Sequence, residues 1–175
     1  MDAMTECAKA AAADAGVPWE QIRQVGIGVP GTANEETGVV EYANNLLFEN
    51  VPMREYLQKR LHKEIDITND ANAAALGEVL AGAARGASNA VAVTLGTGVG
   101  GGIIIDGRLF TGFHYGGAEL GHMGIVLGGR KCTCGRRGCL EAYASATGLI
   151  RSTKEAMEAF PDSLMWELAR ENGGN

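Results

Sequence analysis

Three features of the sequence predict an α/β fold for these 175 residues. Short stretches of alternating apolar residues read as strands, and alanine-rich segments of helical spacing lie between them. No repeat of about 20–50 residues recurs, which excludes solenoids and propellers. Glycine occurs 26 times, about twice its usual share of roughly 7%. With no Gly-X-Y period, these glycines must serve tight turns and close backbone approaches.

Taken in order, Asp2 to Ala15 is alanine-rich and charged, a helix stopped by Gly16 and Pro18. Gln24 to Gly31 reads as a strand running into a glycine turn. The polar stretch Thr32 to Gly38 is expected as loop, and Val39 to Tyr42 as a short strand. Pro52 suits a first helical turn, and Met53 to Leu61 has helical spacing. Glu64 to Thr68 alternates as a strand should; Asn69-Asp70 and a helix over Ala71–Ala84 follow. Composition shifts at Arg85-Gly86-Ala87-Ser88, a candidate boundary. Beyond it, Ala90–Leu95 and Gly102–Ile105 are strands flanking a glycine loop, and Asp106-Gly107 is a hairpin signal. Leu140–Ala156 and Ser163–Arg170 are expected as helices.

A formal net charge of −6 argues against a duplex nucleic-acid binder, which needs a basic footprint. The uncharged stretch Asn89–Ile105 is too short and too broken by glycine to span a bilayer. Met1 to Glu6 shows no basic region followed by an apolar one, so no signal peptide is expected. Cys132, Cys134 and Cys139 crowd together while Cys7 stands far off, which is not a disulfide framework. The expectation is a cytoplasmic protein with neither membrane nor nucleic acid as partner.

Three constellations could carry chemistry. Gly96-Thr97-Gly98-Val99-Gly100-Gly101 formally matches a dinucleotide fingerprint, but a strand follows it where that motif requires a helix. What remains is a strand–turn–strand hairpin, either free of ligand or offering N–H groups and the Thr97 hydroxyl to phosphate oxygens. Thr68-Asn69-Asp70 joins a strand to a helix. One of the last two is expected to cap that helix, and a carboxylate there also stands where α/β proteins place ligand sites. The third set is Glu119 and His122 followed by Cys132, Cys134, Cys139 and Glu141. One imidazole and three thiolates suit tetrahedral zinc, against the alternatives of a buried thiol cluster or a redox site. Glu119 and Glu141 are then free to accept hydrogen bonds, for instance from hydroxyl groups. The basic cluster Lys131, Arg136 and Arg137 reads as solvated.

Glu119-x-x-His122 with Cys132-x-Cys134-x-x-x-x-Cys139-x-Glu141, preceded by Asn69-Asp70 and the glycine hairpin, resembles the ROK family of sugar kinases and repressors. Within that family the chain is most similar to bacterial glucokinases, from about Gly26 to Glu141. The resemblance implies an actin-like, hexokinase-type (ribonuclease H-like) two-lobed fold. A partial first lobe would run over residues 1–86 and a partial second over 87–175. It implies ATP-dependent phosphorylation of a hexose, glucose first, at its 6-hydroxyl. The alternatives are a kinase of N-acetylmannosamine or fructose, and the sugar-sensing part of a repressor.

By position, Asp70 matches the catalytic base. Asn69, Asp70, Glu119, His122 and Glu141 match sugar ligands, and Thr97 and Gly98 match a phosphate-contacting hairpin. Structural zinc would be held by His122, Cys132, Cys134 and Cys139, with the second His122 nitrogen turned to sugar. Magnesium would accompany ATP, and the full-length protein would be a homo-oligomer. The Gly28–Gly31 turn and Asn44-Asn45 resemble segments on the sugar side. Two family features are not found here: an early Asp-x-Gly-Gly-Thr hairpin for ATP and a later Gly-Gly segment for adenosine. The expectation is the middle of a longer protein, with little kinase activity by itself. A zinc-bearing interaction domain without catalysis is the remaining reading.

Overall fold

The computed structural model describes residues 2–173 and is α/β, with six α-helices and eight strands among the described residues. It divides into two compact units. One runs up to Ala92 together with Gly101–Ala118, and the other holds Val93–Gly100 and the chain from Glu119 on.

In the first unit, helix α1 (Asp2–Asp14) ends where expected, and Gly16 turns the chain at φ +67°. Strand β1 (Gln24–Val29) pairs in parallel with β5 (Glu64–Asn69), Gln24 opposite Glu64 and Val29 opposite Asn69. Helix α2 (Met53–Leu61) crosses between them in sequence. Its residues Met53, Leu57 and Leu61, four apart, pack with Val29, Ile65 and Ile67 in one buried core.

Two strands appear where none was expected. Within Thr32–Gly38, read above as loop, β2 (Thr32–Asn34) pairs antiparallel with β3 (Val39–Ala43). Asn34 makes the turn between them, its Oδ1 accepting the N–H groups of Glu36 and Thr37 at 3.1 and 3.0 Å. Strand β4 (Phe48–Val51) completes the meander against β3. Three or four residues carry too little alternation to be seen in sequence, so pairing alone makes these strands. Arg54 then fastens the meander's turn to β5. Its guanidinium donates to the carbonyls of Glu35 (2.6 Å), Glu36 (2.7 Å) and Ile65 (2.9 Å).

Helix α3 (Asp70–Ala81) stops three residues short of the expected Ala84. Glu78 ends it by accepting the Ala83 N–H at 2.7 Å, just past Gly82. Strands β6 (Ala90–Leu95), β7 (Val99–Ile105) and β8 (Arg108–Leu109) form a sheet in that order. Strand β7 starts at Val99 rather than Gly102, so the glycine loop contracts to Gly96–Gly98. Asp106 and Gly107 both have positive φ, 51° and 73°, as the predicted hairpin requires.

In the second unit, the single helix expected over Leu140–Ala156 is two. Helix α4 (Glu141–Ala144) ends at Ser145, whose hydroxyl caps α5 (Ala146–Ala159) by accepting the Gly148 N–H. Ser163 likewise caps α6 (Leu164–Glu171) instead of opening it. None of the described helices is long and apolar enough to cross a membrane.

Two glycines set how closely α3 approaches the strands of its unit. A Cβ at Gly28 would lie 3.1 Å from the Cα of Asp70. One at Gly102 would lie 2.4 Å from the Ala75 Cβ and 2.9 Å from the Ala71 carbonyl. Gly77, on the same helix, faces open space. Gly102→Ala is therefore expected to destabilise the chain by about 1–3 kcal/mol through overpacking. Gly77→Ala is expected to stabilise it by about 0.5–1 kcal/mol through helix propensity. Urea unfolding midpoints of the two variants beside the parent chain check both signs.

Candidate functional site

In the first unit, β5 runs directly into α3, and the junction residues divide the work. Asn69 is the cap: its Oδ1 accepts the N–H groups of Ala71 at 2.9 Å and Asn72 at 3.1 Å. Its amide nitrogen donates to the Gly31 carbonyl at 3.0 Å, tying the glycine turn after β1 to the head of α3. That turn cannot carry a side chain at Gly31, where φ is +112° and a Cβ would meet the Tyr42 carbonyl at 2.2 Å. Asp70 is exposed. Its Oδ1 also accepts the Ala71 N–H, at 2.9 Å, and among the described residues its other oxygen has no hydrogen-bond partner. Thr68 is bonded to the Glu35 carboxylate, which Arg54 steadies through the neighbouring carbonyls. Asn44 and Asn45 open a short 3-10 turn, Asn44–Leu46.

In the second unit, His122, Cys132, Cys134 and Cys139 converge. One donor atom from each lies within 4.8 Å of all the others. A tetrahedron of zinc–sulfur bonds of about 2.3 Å has sulfur–sulfur edges of about 3.8 Å. Cys134 and Cys139 sulfurs stand 3.7 Å apart, and the Cys132 sulfur stands 3.7 Å from His122 Nδ1. All the cysteines are free thiols, so the spacing is that of shared ligands rather than of a disulfide. The donor set therefore fits one tetrahedral metal ion.

The loop's path supports the convergence. His122 ends a 3-10 turn, Leu120–His122, and bridges join Gly124 to Cys139 and Lys131 to Arg137. The backbone N–H of Arg136 is the main cause that holds the Cys134 thiol down to about 6. Burial, the first of several causes, pushes the Cys139 thiol up to about 11. A bound cation would favour the thiolate at both.

His122 presents its other nitrogen, Nε2, to the Glu119 carboxylate at 3.9 Å. Glu141 opens α4 and reaches in two directions: Oε1 accepts the Thr133 hydroxyl at 3.0 Å, and Oε2 accepts the Val99 N–H at 3.1 Å. Thr97 is exposed at the tip of the hairpin. The carbonyls of Thr97 and Gly96 accept from the Thr147 hydroxyl and the Ala146 N–H. Arg54, Thr133 and Thr147 were missed in the sequence. Thr133 alone had a signal there, its place between two candidate ligands.

Comparison with known proteins gives a consistent picture. A model of the ROK family matches residues 2–174. A glucokinase from Thermotoga maritima is 46% identical over 151 residues, 86% of this chain and 48% of that protein. A xylose repressor from Caldicellulosiruptor bescii is 40% identical over 134 residues, covering 77% of this chain and 34% of the repressor. A solved ROK family glucokinase from Streptomyces griseus, in complex with glucose and AMPPNP, superposes with a TM-score of 0.77 at 36% identity. That match covers 92% of this chain and 51% of that one. The fold is thus that of the actin-like ROK hexokinases, in part. The chain spans about half the length of the curated glucokinases it matches.

The division of work at the head of α3 has a measurable consequence. Asn69→Ala is expected to cost about 0.5–2 kcal/mol of stability through loss of the cap. Asp70→Ala should cost distinctly less, since the Asn72 N–H keeps its acceptor. Paired thermal melts of the two variants read the difference.

Proposed function

The chain belongs to the ROK family, and on that premise we propose that it is the sugar-handling part of a cytoplasmic, ATP-dependent hexose kinase. Glucose is the acceptor favoured, on the strength of the glucokinase relatives and the glucose-bound structure. The observation that carries the reading is the exposed Asp70 carboxylate, relieved of capping by Asn69 and left with one oxygen free among the described residues.

Asp70 is the general base. It accepts the proton of the sugar 6-hydroxyl as that oxygen attacks the γ-phosphorus of ATP and the bond to the leaving ADP breaks. Asn69 has one N–H left to donate after its bond to Gly31, which suits a sugar oxygen. Glu119, His122 through Nε2, and Glu141 are the remaining hydroxyl ligands, and they supply acceptors where sugar hydroxyls donate. Thr97 and Gly98, at the exposed hairpin tip, contact phosphate oxygens. A magnesium ion accompanying ATP neutralises phosphate charge when bound. His122, Cys132, Cys134 and Cys139 hold zinc, whose part is structural: it fixes the loop that presents Glu119 and His122.

A second reading, the sugar-sensing part of a repressor, is favoured by the xylose repressor relative. The two readings differ in turnover. A coupled assay of ADP formation, with glucose, mannose, N-acetylmannosamine, fructose and xylose as acceptors, separates them. It is run on this chain and on one completed to the length of its relatives. Sugar binding without ADP formation in the completed chain would favour the sensor.

Two outcomes are expected of variants. In the completed chain, Asp70→Asn lowers turnover by about 10²–10⁴-fold while sugar affinity changes far less; near-normal turnover would remove Asp70 from the chemistry. Elemental analysis of the freshly reduced chain finds about one zinc per molecule, and Cys134→Ser loses it. A metal-free parent chain would reject the zinc assignment.

A further inference from the structure

Glu141 touches both halves of the second unit's chemistry, and its contacts form a continuous path. The Cys132 sulfur, one of the four candidate metal donors, lies 3.7 Å from Glu141 Oε1 and 3.9 Å from the Thr133 hydroxyl. That hydroxyl donates to the same Oε1 at 3.0 Å. The other oxygen of the carboxylate accepts the buried Val99 N–H at 3.1 Å, where β7 leaves the hairpin turn. The fit at that end is tight, for a Cβ on Gly98 would stand 2.5 Å from Oε2. The far side of the turn is pinned to the start of α5, through the Ala146 N–H to Gly96 and the Thr147 hydroxyl to Thr97. As a metal-bound thiolate Cys132 has no proton to give Oε1, but Thr133 follows it in the chain. The Thr133 hydroxyl passes a movement of that ligand through a carboxylate held at both oxygens to a turn pinned on its far side.

We infer that Glu141 is a positioning residue that couples the metal-ligand loop to the 96–99 turn, so that the ion held by His122, Cys132, Cys134 and Cys139 sets the geometry of the Val99 N–H. The inference deepens the proposed function, because it rests on the zinc reading and makes the zinc loop a support of the phosphate hairpin as well as of the sugar ligands. It assigns Glu141 a second duty through the Thr133 and Val99 hydrogen bonds, which use one lone pair on each oxygen and leave others for a hydroxyl once the Cys132 proton is lost to the ion.

The test exchanges zinc for cadmium in the 175-residue chain. Cadmium is larger and softer, and a thiolate-rich set accepts it without being emptied. Amide spectra of the ¹⁵N-labelled zinc and cadmium forms are compared for the parent chain, Glu141→Ala and Thr133→Val. In the parent, the cross-peaks of Gly98 and Val99 should shift along with those of the cysteine loop. In Glu141→Ala the cysteine-loop peaks should still shift, and the Val99 peak should shift distinctly less than in the parent. What remains passes through Gly121, which neighbours His122 and packs on the Val99 carbonyl. Thr133→Val should show a reduced shift at Val99. A parent chain that carries both ions in turn, with its Val99 peak unmoved, overturns the inference alone. So does an equal Val99 shift in parent and Glu141→Ala. A chain that retains neither ion overturns the zinc reading and this inference with it.

Discussion

Helix α3 can lie against its strands only because Gly28 and Gly102 present no side chain to it and the helix answers with Ala71, Ala73 and Ala75. This approach of backbone to backbone fixes where the helix begins, and therefore where Asn69 and Asp70 stand. The remaining order of the first unit follows from it. Asn69, held at the head of the helix, can reach the Gly31 carbonyl. Gly31 in turn must pack on the Tyr42–Ala43 backbone, which seats the meander. Arg54 locks the opposite end of that meander to β5. A carboxylate on a tightly docked helix terminus, behind a cap supplied by its neighbour, is held in place before any ligand arrives.

The second unit is organised differently. Between Glu119 and Leu140 the chain has one 3-10 turn and two isolated bridges, far less regular structure than a stretch of that length normally carries. Apolar burial does little of the work: Ile125, Val126 and Leu127 are all exposed, while Cys132 and Cys139 are buried. The thiols are thus the interior of this loop, and a bound ion would take the place of a hydrophobic core. Glycine makes the path possible at Gly138, where φ is +79° and a Cβ would collide with the Val126 carbonyl. Tyr143 and Arg130 hold the outer face, the tyrosine hydroxyl accepting the Arg130 N–H while the guanidinium lies over its ring and pairs with Glu155.

Much of this was legible in the sequence because it is encoded locally. The spacing of Met53, Leu57 and Leu61, the alternation of Glu64 to Thr68, and the Cys/His pattern each announce themselves over a few residues. What escaped was decided at a distance. Strands β2 and β4 exist through pairing with β3, and the break at Ser145 depends on a serine that reads equally well as helix interior. Whether Asn69 or Asp70 caps α3 turns on which side chain the backbone directs back at the helix, and no sequence spacing contains that. Arg54 and Thr147 act on backbone carbonyls and Thr133 on the Glu141 carboxylate, contacts that leave no periodic trace.

The parallel pairing of β1 with β5 has a consequence for how the chain finds its fold. Gln24 meets Glu64, and everything between them in sequence is the β2–β3–β4 meander and α2. Antiparallel neighbours and a helix are short-range structures that form on microsecond scales, whereas closing a long loop costs entropy that its contacts recover only at the end. Assembly of the meander with α2 shortens that loop before it must close. Arg54 belongs to both stages, because it reads the Glu35 and Glu36 carbonyls from within the local assembly and the Ile65 carbonyl across the late-forming pair. The topology thus favours an order in which a locally built platform forms first and the strand that ends at Asn69, just before Asp70, docks last.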